Sequence, residues 1–238
     1  MAGKADFHHR VRETLGRISI LLIVLCGWQM VTAQAPVITE SGANDAVIVT
    51  DGPATSLNRV LEEVGNGSFS GSVLVADSEN ILFHKAYGWR DRQQQQPFTV
   101  DTASEIMSIT KAFTSATAVK MAAEGDISLD LTLNELIGGF TGSKATITLN
   151  QLLTYQSGLP ANAPQLDRTT PQSYLTSLRQ LPLDAAPGAS QIYSNVGYGL
   201  AGYILERAES RSFGELMQRH WISPLQLTNT RMSGQSGP

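Results

Sequence analysis

Cysteine is almost absent from this chain of 238 residues, since Cys26 is the only one. A lone cysteine cannot form an internal disulfide, so we expect disulfides to play no part in the stability of the fold. The histidines are scattered, and no group of Cys, His and carboxylate residues has the spacing of metal ligands. Glycine-rich phosphate-binding loops are also absent. The sequence therefore predicts no metal and no other cofactor.

Charge is also sparse: charged residues make up 16% of the chain, with a formal net charge of −4. Proteins that bind nucleic acids or anionic lipids carry a basic patch or stripe, and past the first thirty-odd residues the sequence has no block of Lys and Arg. We therefore expect no nucleic-acid partner. A hydrophobic content of 42% indicates a globular protein with a substantial core.

Residues 1–33 have the pattern of a secretory signal peptide. Basic residues precede an apolar run at 18–28, and Val31-Thr32-Ala33 offers small residues for cleavage. This run is shorter than the ~20 residues that a membrane span needs, which favours cleavage over an uncleaved anchor. Acylation of Cys26 is a less favoured alternative, because the large Leu25 precedes it. We expect an exported protein, periplasmic or secreted, with no membrane anchor after cleavage.

The next part of the chain predicts a linker, a helix and a β-hairpin. Residues 34–54 are interpreted as a linker that contains one short apolar strand at 46–49. A helix capped by Ser56 follows. The β-rich runs 71–75 and 81–87 are separated by polar residues, which is typical of a hairpin.

Helical patterns dominate from residue 108 onwards. An apolar stripe predicts a helix that ends at Gly125 and buries this stripe in the core. The stripe consists of Ile109, Ala112, Phe113, Ala116, Val119 and Ala123. Helix starts are also predicted at Thr148, at Thr170-Pro171 and at Ser212, because capping residues or a first-turn proline precede apolar spacing there.

Ser108 and Lys111 stand three residues apart at the opening of the first of these helices, in the only Ser-x-x-Lys of the chain. Residues at this spacing share a helix face, so the hydroxyl and the amine lie within reach of each other. Serine becomes a good nucleophile when a neighbouring base takes its proton, and lysine can be that base if its pKa is lowered. By itself this pattern also arises by accident.

Tyr193-Ser194-Asn195 is the only Tyr-x-Asn of the chain. Together with the Ser-x-x-Lys at 108–111, it resembles the first two motifs of the serine β-lactamase and penicillin-binding-protein superfamily. The similarity is to the branch of class C β-lactamases, D-alanyl-D-alanine carboxypeptidases and esterases. It runs from about Phe69 to about Thr230 and includes the segment 152–160.

The resemblance implies an α+β fold of the β-lactamase/transpeptidase type, with an antiparallel sheet flanked by helices and an all-helical subdomain. It implies that Ser108 is the nucleophile, Lys111 the proton acceptor or electrostatic activator, Tyr193 the general base and acid, and Asn195 a ligand of the substrate's amide. A phenol with a pKa near 10 acts as a base only if a neighbouring ammonium stabilises its phenolate. The alternative for Tyr193 is a core tyrosine with its hydroxyl at the rim.

The family's third motif, Lys-[Thr/Ser]-Gly or His-x-Gly, has no counterpart here. No lysine follows Asn195, and His220 is followed by Trp221-Ile222. In the family most strands of the sheet come later than this point. We therefore expect residues 55–238 to form a hydrolase domain that is incomplete at its C-terminus, with the C-terminal sheet strands missing.

The function predicted from the sequence is that of a serine hydrolase acting through an acyl-enzyme. A β-lactam, a D-Ala-D-Ala peptide and a simple ester all remain open as substrate, because fold does not fix substrate. The alternatives are a non-catalytic, penicillin-recognising sensor module and an inactive truncated remnant. The sequence does not indicate an oligomeric state.

Overall fold

The computed structural model describes residues 38–40, 46–48, 53–65 and 69–233. Contacts divide the chain into two compact units, Met1–Ile106 and Met107–Pro238. The predicted signal peptide and Cys26 lie outside the described residues. None of the helices in the described ranges is long and apolar enough to span a membrane.

The first unit is built on a four-stranded antiparallel sheet with the strand order β1-β2-β4-β3. Its elements are β1 (Ile38–Glu40), β2 (Ala46–Ile48), the helix α1 (Pro53–Gly65), β3 (Gly71–Ala76) and β4 (Ile81–Tyr87). The predicted hairpin is confirmed as β3 and β4. A short ribbon of β5 (Trp89–Asp91) and β6 (Gln96–Pro97) follows.

The segment predicted as a linker, residues 34–54, contains β1, β2 and the first residues of α1. The strand predicted at 46–49 is confirmed as β2. The prediction that Ser56 caps the helix is wrong, because α1 already begins at Pro53. Proline suits the first turn of a helix, where its missing N–H costs no hydrogen bond.

Helix α1 is held on the sheet by apolar contacts and by a polar cluster at its edge. Phe83 and Tyr87 of β4 are buried against apolar side chains of α1. Lys85 Nζ donates to Glu62 Oε1 at 2.9 Å and to Asn58 Oδ1 at 3.0 Å. The half-buried ammonium therefore has two oxygen acceptors on the helix above it.

The regular secondary structure described in the second unit is helical, with long irregular connections and one isolated β-bridge between Thr132 and Thr148. A 3-10 turn at Met107–Ile109 leads into α2 (Thr110–Glu124). The other α-helices are α3 (Leu133–Leu136), α4 (Leu149–Leu153), α5 (Pro171–Gln180), α6 (Asn195–Glu209) and α7 (Phe213–Met217). A second 3-10 turn spans Gly142–Thr146, and α7 continues as a π-helical turn, Gln218–Ile222. The predicted caps at Thr148, Thr170 and Ser212 are confirmed, because each side chain accepts a first-turn N–H.

The core of this unit lies where α2, α4, α6 and α7 meet. The prediction of which face α2 buries was mostly wrong. Two residues of the predicted apolar stripe are exposed, Val119 by 54% and Ile109 by 47%. The helix instead buries Thr114, Thr117, Ala118 and Met121. Both threonines donate their hydroxyls to the carbonyls of Thr110 and Phe113, one turn earlier. Because these polar groups are satisfied within the helix, they can face the core.

The irregular segment 154–162 is joined by hydrogen bonds to segment 184–195, which is irregular up to the start of α6 at Asn195. The backbone N–H groups of 184, 188, 192 and 195 donate to the carbonyls of 158, 156, 155 and 161 at 2.8 to 2.9 Å. The buried hydroxyl of Ser194 donates to the Pro160 carbonyl at 2.7 Å. We call these two hydrogen-bonded segments, 154–162 and 184–195, the loop clamp. It fixes the position of residue 193, which lies at its end.

Gly158 is the tightest point of the loop clamp. Its φ is +75°, and a Cβ placed there would lie 2.0 Å from the carbonyl oxygen of Ala185. Glycine is thus required at 158 both by backbone conformation and by the closeness of the facing chain.

We predict that Gly158→Ala destabilises the protein by about 1–3 kcal/mol more than Gly142→Ala. Gly142 also has a positive φ, of +57°, but nothing lies within 4 Å of a Cβ there, so its alanine variant loses only the ~1–2 kcal/mol of left-handed strain. The clash at 158 adds an overpacking cost of about 1–3 kcal/mol. Urea unfolding of both variants measures the difference. Equal losses would show that the loop clamp yields without cost.

Candidate active site

Ser108 lies in the 3-10 turn that precedes α2, and it follows a residue with an unusual backbone. Met107 has a φ of 47°, in the left-handed region, and its side chain is 73% exposed. Non-glycine residues in this region are strained, and such strain is common at functional sites. The turn leaves the Ser108 hydroxyl accessible at the beginning of α2.

The structure brings Ser108, Lys111 and Tyr193 together. Ser108 Oγ and Tyr193 Oη form a hydrogen bond of 2.7 Å, although the residues are 85 positions apart. Lys111 Nζ donates to Ser108 Oγ at 3.1 Å and lies 4.8 Å from the centroid of the Tyr193 ring. The predicted proximity of Ser108 and Lys111 is confirmed. Tyr193 joins them, so the serine hydroxyl contacts two groups capable of moving its proton.

Tyr193 is not a core residue, since 48% of it is exposed. Its pKa lies below the usual value for tyrosine, chiefly because the neighbouring Lys111 ammonium and then the Ser108 hydroxyl favour the charged form of the phenol. Hydrogen bonds to the charged form of an acid favour ionisation. The arrangement therefore makes Tyr193 a better base at moderate pH than an isolated phenol.

Asn195 is the first residue of α6, two positions beyond Tyr193. Its backbone N–H donates to the Ala161 carbonyl at 2.9 Å, and its Nδ2 donates to Asn162 Oδ1 at 2.8 Å. Sequence reasoning missed Asn162. The sequence shows that Asn162 follows Gly158-Leu159-Pro160, but it does not show its partner, which is 33 residues away. The two asparagines meet only because the loop clamp joins their segments.

Two further tyrosines line the site and were also missed. The Tyr155 ring stacks on Tyr193, with centroids 5.0 Å apart, and packs at 5.2 Å against Tyr198. Tyr198 Oη donates to the Leu153 carbonyl and bonds to Ser115 Oγ, while its ring lies 5.7 Å from Lys111 Nζ. The ammonium thus faces two aromatic rings, an arrangement that stabilises positive charge.

His220 has a structural environment. Its Nε2 lies 2.5 Å from Glu209 Oε1, and the two side chains are 2% and 6% exposed. Arg219 pairs with the other oxygen of the same carboxylate.

Within the described ranges, no group of three or more His, Cys, Asp and Glu residues has the geometry to hold a metal ion.

A protein-family model and several known proteins match this chain. The family model described as Beta-lactamase matches residues 57–236. Protein flp of Staphylococcus aureus strain MW2 is 30% identical over 67% of this chain and 34% of its own length. Penicillin-binding protein 4* of Bacillus subtilis strain 168 is 25% identical over 74% of this chain and 41% of its own length.

A solved class C β-lactamase from Rhodobacter sphaeroides is 29% identical, with a TM-score of 0.60, and the match covers 73% of this chain and 48% of that one. The chain thus spans less than half the length of these relatives. The resemblance to the superfamily and to its α+β fold is confirmed. With a family model matched over residues 57–236, the protein belongs to the Beta-lactamase family.

Proposed function

We propose that the protein is a serine hydrolase that forms an acyl-enzyme on Ser108. The observation that carries this proposal is the 2.7 Å hydrogen bond between Ser108 Oγ and Tyr193 Oη, with Lys111 Nζ on the same serine oxygen at 3.1 Å. A nucleophile within hydrogen-bond reach of a base, which is itself oriented by a third group, is the signature of nucleophilic catalysis.

The geometry supports a definite route for the proton. Ser108 Oγ attacks the acyl carbon while its proton passes to the Tyr193 phenolate. The ammonium group of Lys111 stabilises this phenolate before it takes the proton. Tyr193 then gives this proton to the leaving nitrogen or oxygen as the acyl bond breaks. In the second half of the reaction, water attacks the ester on Ser108, and Tyr193 takes the proton of the water and returns it to the serine.

The acyl donors that we propose are a β-lactam, a D-Ala-D-Ala peptide and an ester. The Asn195 and Asn162 side chains favour the first two. Each asparagine side chain has both a donor and an acceptor group. The hydrogen bond from Asn195 to Asn162 therefore leaves the carbonyl oxygen of Asn195 free to accept and the amino group of Asn162 free to donate. A substrate amide next to the acyl group needs this combination.

We expect the purified protein to gain the mass of one acyl group when it is incubated with benzylpenicillin or p-nitrophenyl acetate. Ser108→Ala loses the adduct because the nucleophilic oxygen is gone. Ser143→Ala, an exposed serine of the same unit, keeps it. Intact mass spectrometry measures both.

The lifetime of the adduct then separates a hydrolase from a sensor that is acylated without turnover. No adduct with either reagent would overturn the proposed function. An adduct that persists in Ser108→Ala would reassign the nucleophile.

The pH dependence of acylation tests the role of Tyr193. Acylation needs the phenolate, so its rate rises with pH through the pKa of Tyr193, and a lowered pKa moves this rise to lower pH. Lys111→Gln removes the main cause of the lowering. We expect the rise to move to higher pH, towards that of an unperturbed phenol, and the rate at pH 7 to fall by at most the ~10²–10⁴-fold that general acid–base catalysis contributes.

Lys120→Gln is the matched control, because this lysine lies on the same helix and pairs with Glu124. Its pH profile should equal that of the wild type. A Lys111→Gln profile that keeps the wild-type rise would exclude Tyr193 as the lysine-assisted base.

The substrate preference depends on Asn162. We expect Asn162→Ala to lower kcat/KM about tenfold for a β-lactam or peptide that carries an acylamino group, since one hydrogen bond is worth about 0.5–1.5 kcal/mol. For p-nitrophenyl acetate, which has no such amide, kcat/KM should change less than about twofold. The exposed Asn134→Ala serves as the control. Equal losses for both substrates would refute the amide-binding role.

A further inference from the structure

Tyr155 occupies a backbone conformation that its residue type disfavours. Its φ is 62°, in the left-handed region where a side chain costs about 1–2 kcal/mol. Glycine or asparagine would adopt this conformation more easily. A large aromatic residue at such a position needs compensation from its contacts.

The side chain of Tyr155 and its carbonyl oxygen contact residues of the candidate site or residues next to it. The Tyr155 ring lies between two other rings, at 5.0 Å and 29° to Tyr193 and at 5.2 Å and 43° to Tyr198. Its carbonyl oxygen accepts the N–H of Ile192 at 2.8 Å. Tyr155 therefore fixes both the ring of Tyr193 and the backbone immediately before it.

Tyr193 needs this support because it is 48% exposed. An exposed side chain samples several rotamers, and only one of them keeps Oη 2.7 Å from Ser108 Oγ and the ring 4.8 Å from Lys111 Nζ. Stacking against a ring that is itself held by Tyr198 restricts this choice. An aromatic pair contributes enough to favour one rotamer about tenfold.

We propose that Tyr155 is a positioning residue that holds the phenol of Tyr193 against Ser108 and Lys111 through its ring. The proposal rests on the proposed function, in which Tyr193 is the base. It assigns the effect to the aromatic face and not to the Tyr155 hydroxyl.

The Tyr155 hydroxyl is poorly suited to act itself as a base. Burial, and then the neighbouring Tyr198 and Tyr193, raise its pKa above the usual value. It therefore stays protonated where Tyr193 ionises. For this reason, Tyr155→Phe should preserve the site, whereas a variant without a ring should not.

The test is a titration of Tyr193 that needs no substrate. The Cζ chemical shifts of labelled tyrosine are recorded against pH by NMR for the full chain, and its Tyr193→Phe variant identifies the signal of Tyr193. The pair is repeated with Tyr155→Asn, which removes the ring but suits the left-handed backbone, and with Tyr155→Phe. Tyr203→Leu, which removes a half-buried tyrosine of α6 outside this stack, is the control.

We expect the pKa of Tyr193 to rise by about one unit in Tyr155→Asn and to change by less than about 0.3 unit in Tyr155→Phe and in the control. Circular dichroism checks that each variant is folded. If Tyr155→Asn fails to fold, Tyr155→Leu replaces it. An unchanged titration of Tyr193 in a folded, ringless variant would overturn the proposal.

Acylation of Ser108 provides a second readout. The pH at which the rate rises should shift upwards with the ringless variant and return with Tyr155→Phe. If the wild type is not acylated at all, the proposed function fails, while the titration still decides whether Tyr155 positions Tyr193.

Discussion

The candidate site depends on the hydrogen bonds of the loop clamp. Residues 154–162 and 184–194 have no regular secondary structure, yet four N–H groups of segment 184–195 donate to carbonyls of segment 154–162. Buried backbone groups need such partners, and pairing with each other is how two irregular segments can satisfy them. Tyr155 and Asn162 lie on one segment and Tyr193 and Asn195 on the other. The clamp thus turns two stretches of sequence into one rigid support beside Ser108.

The contact between Ser108 and Lys111 is the part of the site that local geometry determines. The two residues are one helical turn apart, so their contact follows from spacing alone. Tyr193 was predicted through the resemblance to the superfamily, whose Tyr-x-Asn motif it matches. Asn162 and Tyr155 were missed because their roles arise from pairing between distant segments, which no periodicity records. The strand order of the first unit was likewise not visible in the hairpin pattern.

The buried face of α2 shows a different limit. A pattern of apolar residues predicted that Val119 and Ala123 face the core, but the helix buries Thr114 and Thr117 instead. Hydrophobicity ranks threonine as polar, whereas a threonine whose hydroxyl donates to the preceding turn presents mainly a methyl group. Trp221 Nε1 donates to Thr117 Oγ1 as well, so this hydroxyl both donates and accepts a hydrogen bond inside the core. Prediction from residue types alone cannot include this compensation.

Met107 and Tyr155 both hold left-handed backbone conformations without being glycine; the first precedes Ser108 in the chain and the second stacks on Tyr193. A sequence selected only for stability would place glycine or asparagine at both positions. The strain at Tyr155 is offset by the contacts of its ring with Tyr193 and Tyr198. A substitution that removes these contacts therefore also frees the backbone of residue 155 to leave the left-handed region. Assembly of the site and the backbone conformation of the loop clamp are thus coupled, and neither is maintained without the other.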